Sequence, residues 1–231
     1  MGISVIDLTP LEQTALLTVY ARALDSRAPH SILGDTWAES VAAAIDYDFA
    51  GLHVQTSVAC QTALRAKMLD DRVRTFTASN PYAVVVDLGG GLDSGVCRVT
   101  PPATVDWYTV DLAGISAVRD QVLPTNPQSH TVVASVAESD WATAIPADRP
   151  TILIADGLFA FLTEAVIFNT DELNRAPRVV AAFQMKYRPA RYDGEPDAET
   201  AALVDALIVQ AAKLVAPPAR PATSGAEAMR K

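Results

Sequence analysis

Positive charge is scarce in this sequence. Lys and Arg number 18 against 27 Asp and Glu, a net charge of −9 with the three His counted as neutral. Nucleic acid is met first through a cationic surface, and an anionic membrane leaflet attracts clustered Lys and Arg, so the deficit argues against both partners. Long apolar runs are missing as well. Nothing approaches the ~20 residues needed to span a bilayer, and the opening MGISVIDLTPLEQ has neither the basic region nor the apolar stretch of a secretory leader. Cysteine is nearly absent: Cys60 and Cys97 lie far apart and form no CxxC. That argues against a zinc site or a disulfide framework and points to a reducing, cytoplasmic setting. His30, His53 and His130 are scattered without metal-ligand spacing, so each reads as a surface or capping residue and no metal is expected.

Half of the residues are hydrophobic and 19% are charged, which fits a globular chain with a real core. Thr9-Pro10-Leu11-Glu12 has the form of a capping box, and Leu16, Leu17, Tyr20 and Leu24 follow at helical spacing, predicting a helix over 10–25. Asp35 is placed to cap a second helix, Thr36–Ala44, and a third is expected from His53 to Phe76. After Asn80-Pro81 the texture changes to short apolar runs: Ala83–Leu88, Val105–Val110, Thr131–Ala134 and Thr151–Ala155. Their spacing of roughly 20–26 residues leaves room for crossover helices, which predicts βαβ units and a mainly parallel sheet with helices on both faces. AVVV and TILIA lack polar alternation, as strands buried on both faces do. Arg178–Tyr187 is a candidate fifth strand, Tyr187–Pro196 a loop, and Asp197 a cap for a final helix carrying Val204, Leu207 and Ile208. The expected organisation is an N-terminal helical cap region over 1–79, an α/β Rossmann-like core over 80–215 and a disordered tail over 216–231.

The first strand of the core runs into Asp87-Leu88-Gly89-Gly90-Gly91-Leu92-Asp93. Glycines there let the backbone turn sharply and approach a ligand closely, and ligands of such sheets sit outside the carboxyl ends of the strands. A dinucleotide GxGxxG counted from Gly89 needs glycine at 94, where Ser94 stands and Gly95 follows, so an NAD reading is weakened but stays open. No Gly-Lys-Ser/Thr follows, which argues against a P-loop. Asp111 ends the second strand 20 residues past Gly91, where an acidic residue accepts the hydroxyls of a ribose.

Seven stretches in order carry a resemblance: YARALDSRAP (20–29), LGDTWAESVAAAIDYDF (33–49), LRAKMLDDRVRTF (64–76), VVVDLGGGLDS (84–94), WYTVDLAGISAVRDQVLP (107–124), SVAESDW (135–141) and ILIADGLFAFLTE (152–164). They resemble the leucine carboxyl methyltransferase-like superfamily, in its bacterial branch of tetracenomycin-polyketide-type O-methyltransferases. The resemblance implies a Rossmann-like fold that binds S-adenosylmethionine (SAM) and methylates a hydroxyl or carboxyl group of a small, polyketide-like acceptor. It implies that Arg65 pairs with the SAM carboxylate, that Asp87, Gly89, Gly90 and Gly91 hold the methionine and ribose part, and that Asp111, with Leu112 beside it, binds the ribose hydroxyls. Ser135, Val136 or Asp140 would border the adenine, and Asp156, where many members have Glu, would stand beside the amino or sulfonium end. Nothing identifies a general base. Gly95 replaces the arginine of the usual GLDTR and is expected to weaken the following helix by up to ~1 kcal/mol. Arg98 lies one turn on. Phe161 replaces a phenol. After Glu164 the family pattern fades, so the C-terminal third is expected to be shortened. A relative that binds SAM without turnover is the first alternative reading, and an NAD-dependent oxidoreductase the second.

Overall fold

In the computed structural model, the described residues are 2–137, 140–158 and 179–184. The Asp197-capped helix, the 187–196 loop, Phe161 and the 216–231 tail all lie outside them.

The N-terminal part is helical: α1 (Thr14–Ser26), α2 (Thr36–Ala44) and α3 (Thr56–Ser79), with a two-residue parallel ladder between β1 (Ile3–Ser4) and β2 (Ile45–Asp46). The capping box forms as expected. Thr9 donates its N–H and hydroxyl to Glu12 Oε2 at 2.9 and 2.7 Å, and the Glu12 N–H reaches Thr9 Oγ1 at 3.3 Å. The chain then winds tightly, with i to i+3 bonds from the Thr14, Ala15 and Leu16 N–H groups, so the regular helix starts at Thr14 rather than residue 10. Asp35 caps α2 by accepting the Ala38 N–H at 3.1 Å. The third helix begins three residues later than expected because His53, at φ 46°, closes the 3-10 turn Phe49–Leu52 and cannot be helical.

Among the described residues the core is a five-stranded, all-parallel sheet of β3 (Val84–Leu88), β4 (Asp106–Asp111), β5 (Ser129–Val133), β6 (Thr151–Asp156) and β7 (Val179–Gln184), in the order β5-β4-β3-β6-β7. Short α4 (Gly95–Val99) follows β3, and α5 (Ala113–Val122) joins β4 to β5. This order is that of a Rossmann-like sheet, the fold class expected from the sequence. The apolar run at Arg178–Tyr187 does supply a strand, parallel to β6.

All five residues of β3 are buried, since both sheet faces are covered. Leu69 and Val73 of α3, with Val96 and Val99 of α4, pack on Val85, Trp107, Ile152 and Ile154. Val84, Val86, Val110 and Leu153 face the other way, toward Trp141 in a 3-10 turn over Asp140–Ala144. A third cluster joins α1 and α2 to α5 through Leu16, Val19, Val41, Ile115 and Val118. Burying each Val or Leu of these clusters contributes about 1.5–3 kcal/mol. The strand order reverses between β3 and β6, so a crevice opens at their carboxyl ends.

Candidate functional site

Side chains on a strand alternate between faces. Val85, Trp107 and Ile154 pack under α3, so Asp87, Asp111 and Asp156 continue the same three rows at the carboxyl ends of β3, β4 and β6. Helix α3 supplies the matching cation. Arg65 lies one turn before Leu69 on the stripe that covers this face, and its Nε and Nη2 donate to Asp156 Oδ1 and Oδ2 at 2.7 and 3.4 Å. Two residues 91 apart in sequence thus form a forked ion pair, 16% and 22% exposed.

Asp111 is held by the glycine turn. Its Oδ2 accepts the Gly91 N–H at 2.7 Å and its Oδ1 the Leu112 N–H at 2.8 Å. Burial lifts its carboxyl above the usual range, against the pull of those two N–H groups. The turn itself needs glycine: φ is +63° at Gly89 and +51° at Gly91. At Gly90 a Cβ would stand 2.6 Å from Asp87 Oδ2 and 2.8 Å from Thr109 Cγ2. Burial pushes the Asp87 carboxyl up to about 7, with Asp93 adding to the push and Arg119 opposing it.

These groups line one cavity of about 370 Å³, the size class of small-molecule sites. Arg65, Asp87, Gly89, Gly90, Gly91, Asp111, Leu112, Ser135, Val136 and Asp156 all border it. Asp140 is not among the lining residues; it opens the 3-10 turn before Trp141, and its side chain is outside the described set.

Several charged residues in or beside the same cavity were not read from the sequence as site residues. Arg98 donates to Asp70 at 2.8 and 3.0 Å, to Asp93 at 2.9 and 3.0 Å, to Asp35 at 2.8 Å and to Ser94 at 2.9 Å. Arg22 adds ion pairs to Asp35 at 3.4 Å and Asp93 at 3.3 Å and donates to the Leu92 carbonyl. Burial pushes the Asp93 carboxyl up, but Arg98 and Arg22 outweigh it and hold the group well below the usual range. Arg119 donates to the Gly91 and Asp93 carbonyls at 2.9 and 2.7 Å, and Glu12 accepts the Ile115 N–H at 3.1 Å. The cap helices are thereby tied to the glycine turn. Gly95 is part of that fit: a Cβ there would meet Asp93 Oδ2 at 2.8 Å and Trp107 at 3.1 Å, and the helix it starts has only five residues. The signal for the cluster is charge on apolar stripes, since Arg22 sits three residues after Val19 and Asp70 next to Leu69.

Residues 15–170 match the sequence profile of the family described as leucine carboxyl methyltransferase. The chain is similar to the tetracenomycin polyketide synthesis O-methyltransferase TcmP of Streptomyces glaucescens, 39% identical over 160 residues that cover 69% of this chain and 59% of that one. It is also similar to the S-adenosyl-L-methionine-dependent methyltransferase dpfgK of Gibberella zeae, 27% identical over 173 residues, 68% of this chain and 58% of that one. It spans less than two thirds of the length of either relative. Among solved structures it is similar to mitomycin 7-O-methyltransferase MmcR, 16% identical with a TM-score of 0.43, covering 85% of this chain and 62% of that one.

Proposed function

Since the chain belongs to the leucine carboxyl methyltransferase family, we propose that its cavity binds SAM and that the protein methylates a hydroxyl or carboxyl oxygen of a small acceptor. The observation that carries the reading is the gathering of Arg65, Asp87, Asp111 and Asp156 around one cavity beside the glycine turn. That set suits a ligand with an amino-acid end and a ribose. Arg65 is the partner for the carboxylate and Asp156 for the ammonium. Asp111 uses one lone pair of each oxygen on a backbone N–H, which leaves lone pairs for two hydroxyls. Gly90 carries no side chain, so the backbone of the turn lies bare at the cavity and a ligand's chain can approach it closely. Leu112, Ser135 and Val136 border the adenine end.

The cofactor supplies an electrophilic methyl group, so no triad or metal is required of the protein. Its residues bind, orient and exclude water around an in-line attack by the acceptor oxygen. The name of the Streptomyces relative supports O-methylation of a polyketide-like acceptor. Titration calorimetry of SAM, S-adenosylhomocysteine and NAD tests the reading. SAM and its demethylated product should bind and NAD should not; binding of NAD alone would refute it. Labelled-methyl transfer to hydroxylated and carboxylated aromatics then tests the reaction.

A further inference from the structure

Asp87 differs from every other acidic side chain at the cavity. Asp156 is paired with Arg65, Asp93 and Asp70 with Arg98, Asp111 accepts two backbone N–H groups, and Glu12 is bonded by Thr9 and Ile115. Asp87 is 5% exposed, lines the cavity, and accepts no hydrogen bond among the described residues. The charged groups around it come from each packed element. They are Asp93 before α4, Arg119 of α5, Asp111 of β4, Asp156 of β6, and Arg65 and Asp70 of α3. The cations among them are committed elsewhere: Arg119 to the Gly91 and Asp93 carbonyls and Arg65 to Asp156. A carboxylate buried this way with no ion-pair partner of its own is disfavoured as an anion and keeps its proton up to about neutral pH.

The charges of the proposed ligand match this arrangement, and the inference rests on the SAM reading. The amino-acid end is a neutral zwitterion, complementary to the neutral Arg65–Asp156 pair. What remains is the single positive charge of the sulfonium, and the group left to answer it is Asp87. The spent product, a thioether, lacks that charge.

We propose that Asp87 determines specificity for the ligand's net charge: it is protonated in the empty cavity and releases that proton to solvent when the sulfonium cofactor binds, but not when the thioether product binds. The proton leaves the carboxyl oxygen, and the carboxylate formed balances the incoming cation, so charge is conserved in the cavity. The Asp87 carboxyl lies at about 7 in the empty site, and a cation within ~4–6 Å lowers a carboxyl by about 1–3 units. SAM binding should therefore release about half a proton at pH 7 and nearly a whole one at pH 6. SAM affinity should rise about fivefold from pH 6 to pH 7 while that of the product stays flat. The site would then favour fresh cofactor over spent product more strongly as pH rises.

Calorimetry on the full chain, with SAM and with S-adenosylhomocysteine, in two buffers of different ionisation enthalpy at pH 6 and pH 7, reads the proton number directly. The expected result is release with SAM, close to none with the product, and loss of both release and pH dependence in Asp87→Asn. Equal release for the two ligands, no release with SAM, or release persisting in a folded Asp87→Asn protein overturns the proposal. The wild-type proton counts decide it even if the variant does not fold. Failure of both ligands to bind would instead overturn the SAM reading itself.

Discussion

Replacing Arg98 by Met keeps most of the side-chain volume and removes one charge from the cluster beside the glycine turn. The Arg98 side chain is 6% exposed and serves three carboxylates, Asp35, Asp70 and Asp93, whose side chains are 0%, 5% and 22% exposed. Without it, Arg22 is the remaining ion-pair partner of Asp35 and Asp93, and Arg74 at 3.8 Å that of Asp70. Removing one partner of a buried ion pair costs about 3–5 kcal/mol. At about 2–4 °C per kcal/mol for a domain of this size, the melting temperature should fall by about 6–20 °C. The sign of the pH dependence follows from Asp93, which the arginines hold below its unfolded value. Stability from such a group is present above the unfolded pKa and lost as pH falls through the folded one. In the wild type that loss comes only below pH 4, whereas the carboxylates freed in Arg98→Met are buried without their cation and titrate higher, so the variant's deficit should be largest near pH 7 and shrink toward pH 4, where they take up protons. Thermal unfolding followed by circular dichroism at both pH values measures it, with Arg74→Met, 43% exposed, as a control expected to lose about 1 kcal/mol or less. A shift below about 2 °C, or a deficit equal at pH 7 and pH 4, would refute the assignment of Arg98 as the cluster's central charge.

Gly90→Ala should abolish detectable SAM binding and lower stability by about 1–3 kcal/mol, because the new Cβ has no room over Asp87 and Thr109; wild-type affinity in calorimetry would contradict this. Asp111→Ala should weaken SAM by about 1–3 kcal/mol and also lower the melting temperature, since it leaves the Gly91 and Leu112 N–H groups without their acceptor. An unchanged dissociation constant would remove Asp111 from the site. In the empty protein, Asp87→Asn should stabilise rather than destabilise. The folded carboxyl stands at about 7 against ~3.9 unfolded, so wild-type stability falls as pH rises between those values, and the variant escapes a penalty of up to about 4 kcal/mol. Urea unfolding at pH 8 and pH 4 checks it: the gain should appear at pH 8 and vanish at pH 4.

The sheet was legible because uninterrupted apolar runs mark strands covered on both faces, and β3, β4 and β6 each fall within a residue of the expected span. Asp111 was legible from its place 20 residues past Gly91 at the end of a strand. Asp87, Asp156 and Arg65 were assigned to the site only through the family resemblance. The Arg22–Asp35–Asp70–Asp93–Arg98 cluster was not legible. Its members pair across separations of 63 residues and more, and no local period links three helices to the stretch after β3. Gly95 read as a missing arginine, whereas its lack of a side chain is what lets Asp93 and Trp107 close in. The two-residue ladder of β1 and β2 is too short to leave any pattern.

Four segments each contribute to that charge cluster: α1 through Arg22, α2 through Asp35, α3 through Asp70, and the stretch after β3 through Asp93 and Arg98. Local opening of any one of them strands the opposite charges of the others in a poorly hydrated place. Such an arrangement discourages piecemeal unravelling and couples the helical layer to the sheet as a single cooperative unit. The amides of α1 and α2 should then exchange with solvent only through the same opening event that exposes β3, rather than through fraying of their own.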